Sequence, residues 1–96
     1  MTWDIAETKT FSQEIKKFNK NKELFNALDN KIKRLRENPD NVGGYLSGKL
    51  HGYKSTRLVK KFRLIFKINQ NENTVYLSAI DHRKYDYENF DVDSFE

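Results

Sequence analysis

Two segments with helical periodicity are followed by three segments with strand alternation, and this order constrains most strongly how the 96-residue chain can fold. Apolar side chains recur every three or four residues within 11–18 and again within 24–35, with basic residues largely between them. Thr8 or Thr10 can cap the first helix, and the second stops before Pro39, because a residue preceding proline disfavours helical backbone. The pattern predicts an antiparallel helical hairpin.

The rest of the chain reads as a sheet. Trp3 and Ile5 alternate with other residues in a short first strand. Residues 53–59, 63–69 and 74–80 predict three later strands, separated by tight polar turns. We therefore expect an α+β fold with an N-terminal strand, a helical hairpin and then a three- to four-stranded antiparallel sheet.

Alternation within the strands assigns side chains to two faces. In the middle strand the apolar residues at positions 64, 66 and 68 share one face, and the other face carries Arg63, Ile65 and Lys67. In the last strand, positions 75, 77 and 79 alternate with Tyr76, Ser78 and Ile80. We expect one face of the sheet to pack against the hairpin and the other to look into a cleft.

Composition argues against several classes of protein. The chain has the size of a single domain, 1–96, with room for a modest core but not for a deep cofactor cleft, so no cofactor is expected. It contains no cysteine, and His51 and His82 with carboxylates are too few well-spaced ligands to favour a metal enzyme. No apolar run approaches a membrane span and the first twenty residues carry no signal-peptide core, so we expect a cytoplasmic protein without membrane contact.

Charge is distributed unevenly along the chain. Between Asp40 and Glu72 there is no acidic residue, whereas the rest carries eleven lysines and arginines against fourteen acidic residues. A one-signed stretch that also forms sheet places a basic surface on a rigid frame, and such a surface attracts phosphate. A solvated basic face without a partner is the alternative. The basic residues of this stretch are Lys49, Lys54, Arg57, Lys60, Lys61, Arg63 and Lys67.

Two arginines are the strongest candidates for contacting a phosphate. Arg57 and Arg63 avoid the core-facing positions of their strands, and on neighbouring antiparallel strands they can converge on one phosphate. A guanidinium group donates two parallel hydrogen bonds to phosphate oxygens and remains charged. A lone arginine would more simply cover sheet surface with its alkyl stem, but a pair with lysines nearby fits that explanation poorly.

A polar group follows the last strand directly, at His82, Arg83, Tyr85 and Tyr87. Histidine can move a proton near neutral pH, arginine can offset charge that develops on a phosphorane-like centre, and tyrosine can stack on a base or position a hydroxyl. A surface loop that happens to contain one histidine is the plainer alternative.

The acidic and aromatic segment 86–96 either docks on the core or lies over the basic face in competition with nucleic acid.

Three motifs occur in a characteristic order. They are a leucine–glycine turn that leads to an arginine within 46–58, an arginine followed by apolar and aromatic residues within 62–66, and a histidine–arginine pair with following tyrosines within 80–87. In this order they resemble the RelE/ParE superfamily of toxins from bacterial and archaeal toxin–antitoxin modules. The resemblance covers about residues 1–88 and implies the RelE-like microbial RNase fold. The stretch 52–66 is similar to the YoeB-type branch, which favours an RNase over a gyrase poison.

The resemblance implies a specific chemistry. Most characterised RelE-like members cut mRNA in the ribosomal A site without a metal ion, whereas ParE-like members poison DNA gyrase. Carried over by position, the catalytic residues of such an endoribonuclease would be Arg57, Arg63, His82, Arg83 and Tyr87. The residues that would grip RNA are Lys49, His51, Lys54, Lys60, Lys61 and Tyr85. The YoeB-type ending with adjacent histidine and tyrosine is absent, which leaves the general acid and base open.

The resemblance also implies partners. These are a cognate antitoxin, whose acidic amphipathic helix would cover the basic sheet, together with mRNA and the ribosome. Three alternatives remain open at this point: a gyrase-poisoning toxin on the same fold, a non-catalytic nucleic-acid-binding module, and an inactivated toxin homologue.

Overall fold

The secondary structure follows the predicted order. A computed structural model describes residues 2–82, and of His82 only the backbone. A short strand is followed by two helices: β1 (Asp4–Glu7), α1 (Lys9–Lys17) and α2 (Lys22–Glu37). Four strands complete the fold, namely β2 (Gly44–Tyr45), β3 (Lys54–Arg57), β4 (Phe62–Asn69) and β5 (Thr74–His82). Short 3-10 turns lie at Pro39–Asn41 and Gly48–Leu50. The predicted α+β fold is confirmed.

The strands form one five-stranded sheet in the order β1-β5-β4-β3-β2. The pairs β2–β3, β3–β4 and β4–β5 are antiparallel, as expected. Strand β1 runs parallel to β5, with Ile5 opposite Val75. The sheet is therefore mixed. Strand β2 does not show in the sequence, because a two-residue strand at Gly44–Tyr45 is too short to display alternation.

A threonine side chain begins helix α1 and ties it to the sheet. Thr8, rather than Thr10, is the cap: its hydroxyl oxygen accepts a hydrogen bond from the Phe11 backbone N–H at 3.2 Å. The same hydroxyl lies 3.1 Å from the carbonyl oxygens of Leu77 and Ser78, to which it can donate. The start of the helical hairpin is thereby held against β5.

The main core lies between the helical hairpin and one face of the sheet. Phe11 of α1 is 1% exposed, and Leu35 of α2 is fully buried. Burying such side chains supplies the main driving force for folding, at about 25 cal/mol per Å² of apolar surface. The buried members of this cluster are Phe11, Leu28, Leu35, Val42, Leu64, Phe66, Val75, Leu77 and Ile80.

The opposite face of the sheet, which we call the arginine face, carries Arg57, Arg63, Ile65 and Lys67. A smaller apolar cluster covers part of it and brings the segment 46–53 onto the sheet. The expected cleft on this face is consequently filled along one side by that segment rather than fully open. The cluster consists of Leu50, Tyr53, Ile65 and Ala79, with Leu46 packed against them.

A β-bulge in β5 changes which residues face the hairpin. Ile65 pairs with Ala79, but the next residue of β4 pairs with Leu77, so Ser78 is the extra residue. The expected alternation was therefore wrong beyond Leu77. Ile80 lies in the main core and Ala79 in the smaller cluster, because one additional residue reverses the parity of the strand.

Neither of the two helices within residues 2–82 is both long and apolar enough to cross a bilayer.

Candidate phosphate-binding face

Arg57 and Arg63 form a cross-strand pair at the end of the β3–β4 hairpin. Directly opposite residues of antiparallel strands have Cβ atoms only about 4.5–5.5 Å apart, so the two side chains leave the sheet side by side. Arg57 is exposed and Arg63 is partly buried. Like charges in this arrangement oppose folding, and an anion between them would relieve the repulsion.

The guanidinium group of Arg63 is held in place from one side. Its Nη2 donates a hydrogen bond to Ser55 Oγ at 3.2 Å, and Ser55 is itself buried. The Arg63 Nε is also buried, and it has no hydrogen-bond acceptor within residues 2–82. Leaving a buried donor unsatisfied typically costs about 1–3 kcal/mol. The hydrogen bond to Ser55 therefore fixes one side of the guanidinium group, beside Arg57.

A buried carboxylate stands on the other side of Arg63. Asp81 of β5 is directly opposite Arg63 of β4 and is 1% exposed. The stretch 41–71 contains no acidic residue, but the sheet brings in Asp81 from a neighbouring strand, so this part of the arginine face is not purely basic. Sequence reasoning noted Asp81 only as part of the terminal motif, because the bulge that turns it toward this face is not visible in the sequence.

A second carboxyl group lies close to Asp81. Glu14 of α1 is partly buried, and desolvation by burial raises its pKa, with the Asp81 charge adding to the effect. Lys17 and a hydrogen bond from the Ile80 backbone act in the opposite direction. Glu14 was not among the sequence candidates, since its helical position reads only as a solvated face.

Lys54 is not available to grip RNA, and this part of the sequence prediction was wrong. The side chain points to the hairpin side of the sheet and is 2% exposed. Its Nζ donates hydrogen bonds to the carbonyl oxygens of Pro39 at 3.2 Å and Asp40 at 2.9 Å, and lies 4.9 Å from the centre of the Tyr45 ring. The ammonium group thus satisfies the 3-10 turn that follows α2.

The remaining predicted basic contacts are spread over the surface. Lys49 and His51 are exposed on and after the 3-10 turn at Gly48–Leu50, and Lys61 is exposed in the β3–β4 turn. Lys60 forms an ion pair with Glu23 of α2 at 3.5 Å, so it lies beside the turn between the helices.

The predicted C-terminal residues lie outside the described part of the chain. They are the side chain of His82, then Arg83, Tyr85 and Tyr87, and the acidic segment 86–96. Their assignments stay predictions. Within residues 2–82 no group of three or more histidine, aspartate and glutamate side chains could hold a metal ion.

A groove lies on the arginine face, where the sequence predicts a cleft, but the tyrosines that line it were not among the sequence candidates. It has a volume of about 720 Å³ and is lined in part by Tyr53, Lys67 and Tyr76. The Lys67 Nζ lies 5.3 Å from the centre of the Tyr53 ring. The Tyr76 hydroxyl donates a hydrogen bond to the Glu72 carboxylate, and this bond raises the pKa of Tyr76.

A helical hairpin on one face of a five-stranded mixed sheet is the fold of the small toxins of the RelE/ParE superfamily. The sequence profile of the ParE toxins of type II toxin–antitoxin systems (parDE) matches residues 5–87. The chain belongs to this family. The resemblance inferred from the three motifs is confirmed at the level of the superfamily.

Solved toxin structures share the fold. A chain of the RelBE2 toxin–antitoxin complex from Mycobacterium tuberculosis is 25% identical, with a TM-score of 0.73 over 86% of this chain and 100% of that one. YafQ from Escherichia coli is 18% identical, with a TM-score of 0.71 over 85% of this chain and 94% of its own. The YoeB dimer from Staphylococcus aureus is 20% identical, with a TM-score of 0.70 over 91% of this chain and 100% of its own. No curated protein sequence matches the chain.

Proposed function

We propose that this type II toxin is a metal-independent endoribonuclease that cleaves mRNA on the ribosome and so inhibits translation. The observation that carries the proposal is the pair formed by Arg57 and Arg63, in which the Arg63 guanidinium is oriented by a hydrogen bond to Ser55. A phosphodiester between the two guanidinium groups would accept hydrogen bonds from their terminal nitrogens and offset the repulsion between them.

The proposed reaction is a transesterification within the RNA strand. The 2′-hydroxyl oxygen of the substrate attacks the adjacent phosphorus, the bond from phosphorus to the 5′-oxygen breaks, and a 2′,3′-cyclic phosphate and a free 5′-hydroxyl result. Arg57 and Arg63 would hold the phosphate and neutralise the charge that develops on it, with Arg83 in support. Tyr87 or Tyr85 would orient or activate the 2′-hydroxyl.

The leaving 5′-oxygen needs a proton, and two histidines are candidates. We assign this role to His82 or to the exposed His51, since imidazole exchanges protons near neutral pH. Lys49 and Lys61, which are exposed, would contact the backbone of mRNA or ribosomal RNA. Lys60 would contribute to RNA binding only from the side of the helical hairpin, where it pairs with Glu23.

The proposed partners are a cognate antitoxin, mRNA and the ribosome, in the cytoplasm. A toxin–antitoxin complex from M. tuberculosis and the DinJ–YafQ complex from E. coli are among the structures with this fold, which supports the antitoxin. An acidic helix or strand would complement Arg57, Arg63 and the neighbouring lysines.

A second candidate function is poisoning of DNA gyrase. It is favoured by the matching family, which is that of the ParE toxins. A gyrase poison would inhibit supercoiling, leave mRNA intact and tolerate the loss of Tyr87. The arginine pair favours the RNase, because two guanidinium groups on directly opposite residues, one of them oriented by Ser55, suit a phosphate in a reacting position.

Induced expression of the wild-type chain beside Arg63→Ala and Tyr87→Ala tests the proposal. We expect growth arrest with new mRNA 5′ ends, mapped by primer extension, and loss of both in the variants. Lys33→Ala, on the exposed side of α2, is the matched control and should remain toxic. Arrest with intact mRNA and inhibited supercoiling would support the gyrase poison instead. The absence of any arrest would indicate an inactive homologue or a binding module.

A further inference from the structure

The groove on the arginine face lies on the same surface as the arginine pair but is chemically different from it. Its lining includes Tyr53, Lys67, Tyr76 and Ser78, together with Asn69 and Gln70. Lys67 is four residues beyond Arg63 on β4, which corresponds to about 13 Å along the strand. The proposed cleavage step assigns no role to this groove.

The charges around the groove nearly cancel. Lys9 and Lys67 contribute two positive charges to the lining, and Glu7 contributes one negative charge. A second negative charge is that of Glu72, whose carboxylate accepts a hydrogen bond from the Tyr76 hydroxyl. The arginine pair, in contrast, places two positive charges directly opposite each other, with the single carboxyl group of Asp81 opposite Arg63, so positive charge remains in excess there. An anion would consequently favour the arginines, and the groove suits an uncharged ligand or an uncharged part of a larger one.

The lining favours a flat, polar ring. The Tyr76 side chain is partly exposed, and the Lys67 ammonium covers the buried Tyr53 ring at 5.3 Å. Aromatic faces bind nucleobases by stacking, and an amide side chain such as that of the exposed Gln70 can pair with donors and acceptors on a base edge. The amide of Asn69 is already hydrogen-bonded to Glu72 through both its nitrogen and its oxygen. The groove therefore combines a stacking surface with hydrogen-bonding groups, without the net positive charge that a phosphate would require.

We propose that this groove binds a nucleobase of the RNA strand whose phosphate lies between Arg57 and Arg63. The inference rests on the proposed function, because it takes the arginine pair as the phosphate site. A separation of about 13 Å along β4 corresponds to a few nucleotides of single-stranded RNA. The groove would thus read a base away from the cleaved bond and contribute to the sequence preference of the toxin.

Binding of uncleavable RNA tests the inference apart from the activity. The probes are 2′-O-methyl oligonucleotides of increasing length, from a dinucleotide to an octanucleotide, titrated into the purified chain at several salt concentrations. We expect affinity to rise once the strand reaches the groove. Tyr76→Ala and Lys67→Ala should each lower the affinity for the longer probes about tenfold, so that the rise with length disappears. The affinity for the dinucleotide should stay unchanged.

Salt dependence separates the two sites. Arg63→Ala should weaken binding of every length and lower the salt slope by about 1, because it removes a phosphate contact. Tyr76→Ala should leave the slope unchanged, because stacking releases no counterion. Tyr76→Phe keeps the ring and should retain most of the affinity for the longer probes. Lys33→Ala is the charge control, and thermal unfolding of each variant shows that it is folded.

The outcomes distinguish the inference from the function on which it rests. If Arg63→Ala does not weaken binding of any probe, the phosphate site itself is wrong. If Arg63→Ala weakens binding but Tyr76→Ala and Lys67→Ala, both folded, leave the length dependence intact, the nucleobase groove is wrong. The inference also fails if the folded groove variants lose affinity only for the antitoxin, since the groove then serves a protein partner.

Discussion

Arg57 and Arg63 lie directly opposite each other on neighbouring antiparallel strands. We predict that Arg57→Gln raises the free energy of unfolding by about 0.2–1 kcal/mol, because it removes a like-charge cross-strand pair, and that it lowers RNA affinity. Urea unfolding and RNA titration measure the two effects. Arg57→Lys is the matched control, since it keeps the charge and should not gain stability. A loss of stability in Arg57→Gln would contradict the account of the pair.

The hydrogen bond from Arg63 to Ser55 predicts a role for the serine as a positioning residue. Ser55→Ala should slow RNA cleavage about tenfold, because the arginine loses one orienting hydrogen bond, while the arginine itself remains. Arg63→Ala should cost about 10²–10³ in rate, as does the loss of a donor to a developing oxyanion. Single-turnover cleavage separates the rate from the affinity, which Ser55→Ala should change little. Equal effects of the two substitutions would argue against a positioning role.

The burial of Lys54 predicts a structural effect rather than an effect on RNA binding. Lys54→Met should lower the free energy of unfolding by about 1–3 kcal/mol, because the Asp40 carbonyl oxygen loses the Lys54 donor and the Pro39 carbonyl oxygen keeps only the Val42 backbone N–H. Lys61→Met, at an exposed position of the β3–β4 turn, is the control and should change stability by less than about 0.5 kcal/mol. Urea unfolding measures both. Similar stability of the two variants would contradict the structural role.

Two adjacent glycines differ in the space around them, so we expect alanine to destabilise the fold at one position and not at the other. Gly43 has a φ of +66°, and a Cβ there would overlap the backbone carbonyl of Ser55, so Gly43→Ala should cost about 1–3 kcal/mol. Gly44 has open space around the corresponding position, so Gly44→Ala should be nearly neutral. Thermal unfolding compares the two variants. If Gly44→Ala proves as harmful as Gly43→Ala, the close approach of Gly43 to β3 is not the reason.

Burial of Glu14 predicts a pH dependence of stability. Its pKa is raised in the folded chain, so the folded state binds more protons than the unfolded state over the interval between the two pKa values. The favourable contribution of Glu14 is fully present below its ordinary pKa of 4.5 and is lost as the pH rises through the folded value. Glu14→Gln should therefore be more stable than the wild type at pH 7, with a difference that shrinks below pH 4.5. Thermal unfolding at both pH values measures this, and a difference that grows toward low pH would contradict it.

Local patterns in the sequence determined the order of the elements. Helical spacing within 11–18 and 24–35 and strand alternation near Leu64 depend only on neighbours along the chain, so they predict elements without knowledge of their partners. The same holds for the placement of Arg57 and Arg63 on neighbouring antiparallel strands, whereas their direct pairing depends on the register that the strands adopt in the folded sheet. The superfamily follows from motifs of the same local kind.

Only the tertiary structure decided what each charged side chain contacts. Lys54 and Lys49 look alike in the sequence, yet one is buried under the 3-10 turn and the other is exposed. The bulge at Ser78 turns Asp81 toward Arg63, and the groove at Tyr76 is assembled from segments distant in sequence. Burial, register beyond a bulge and cavities depend on packing between remote segments, and no local pattern of residue types encodes that packing.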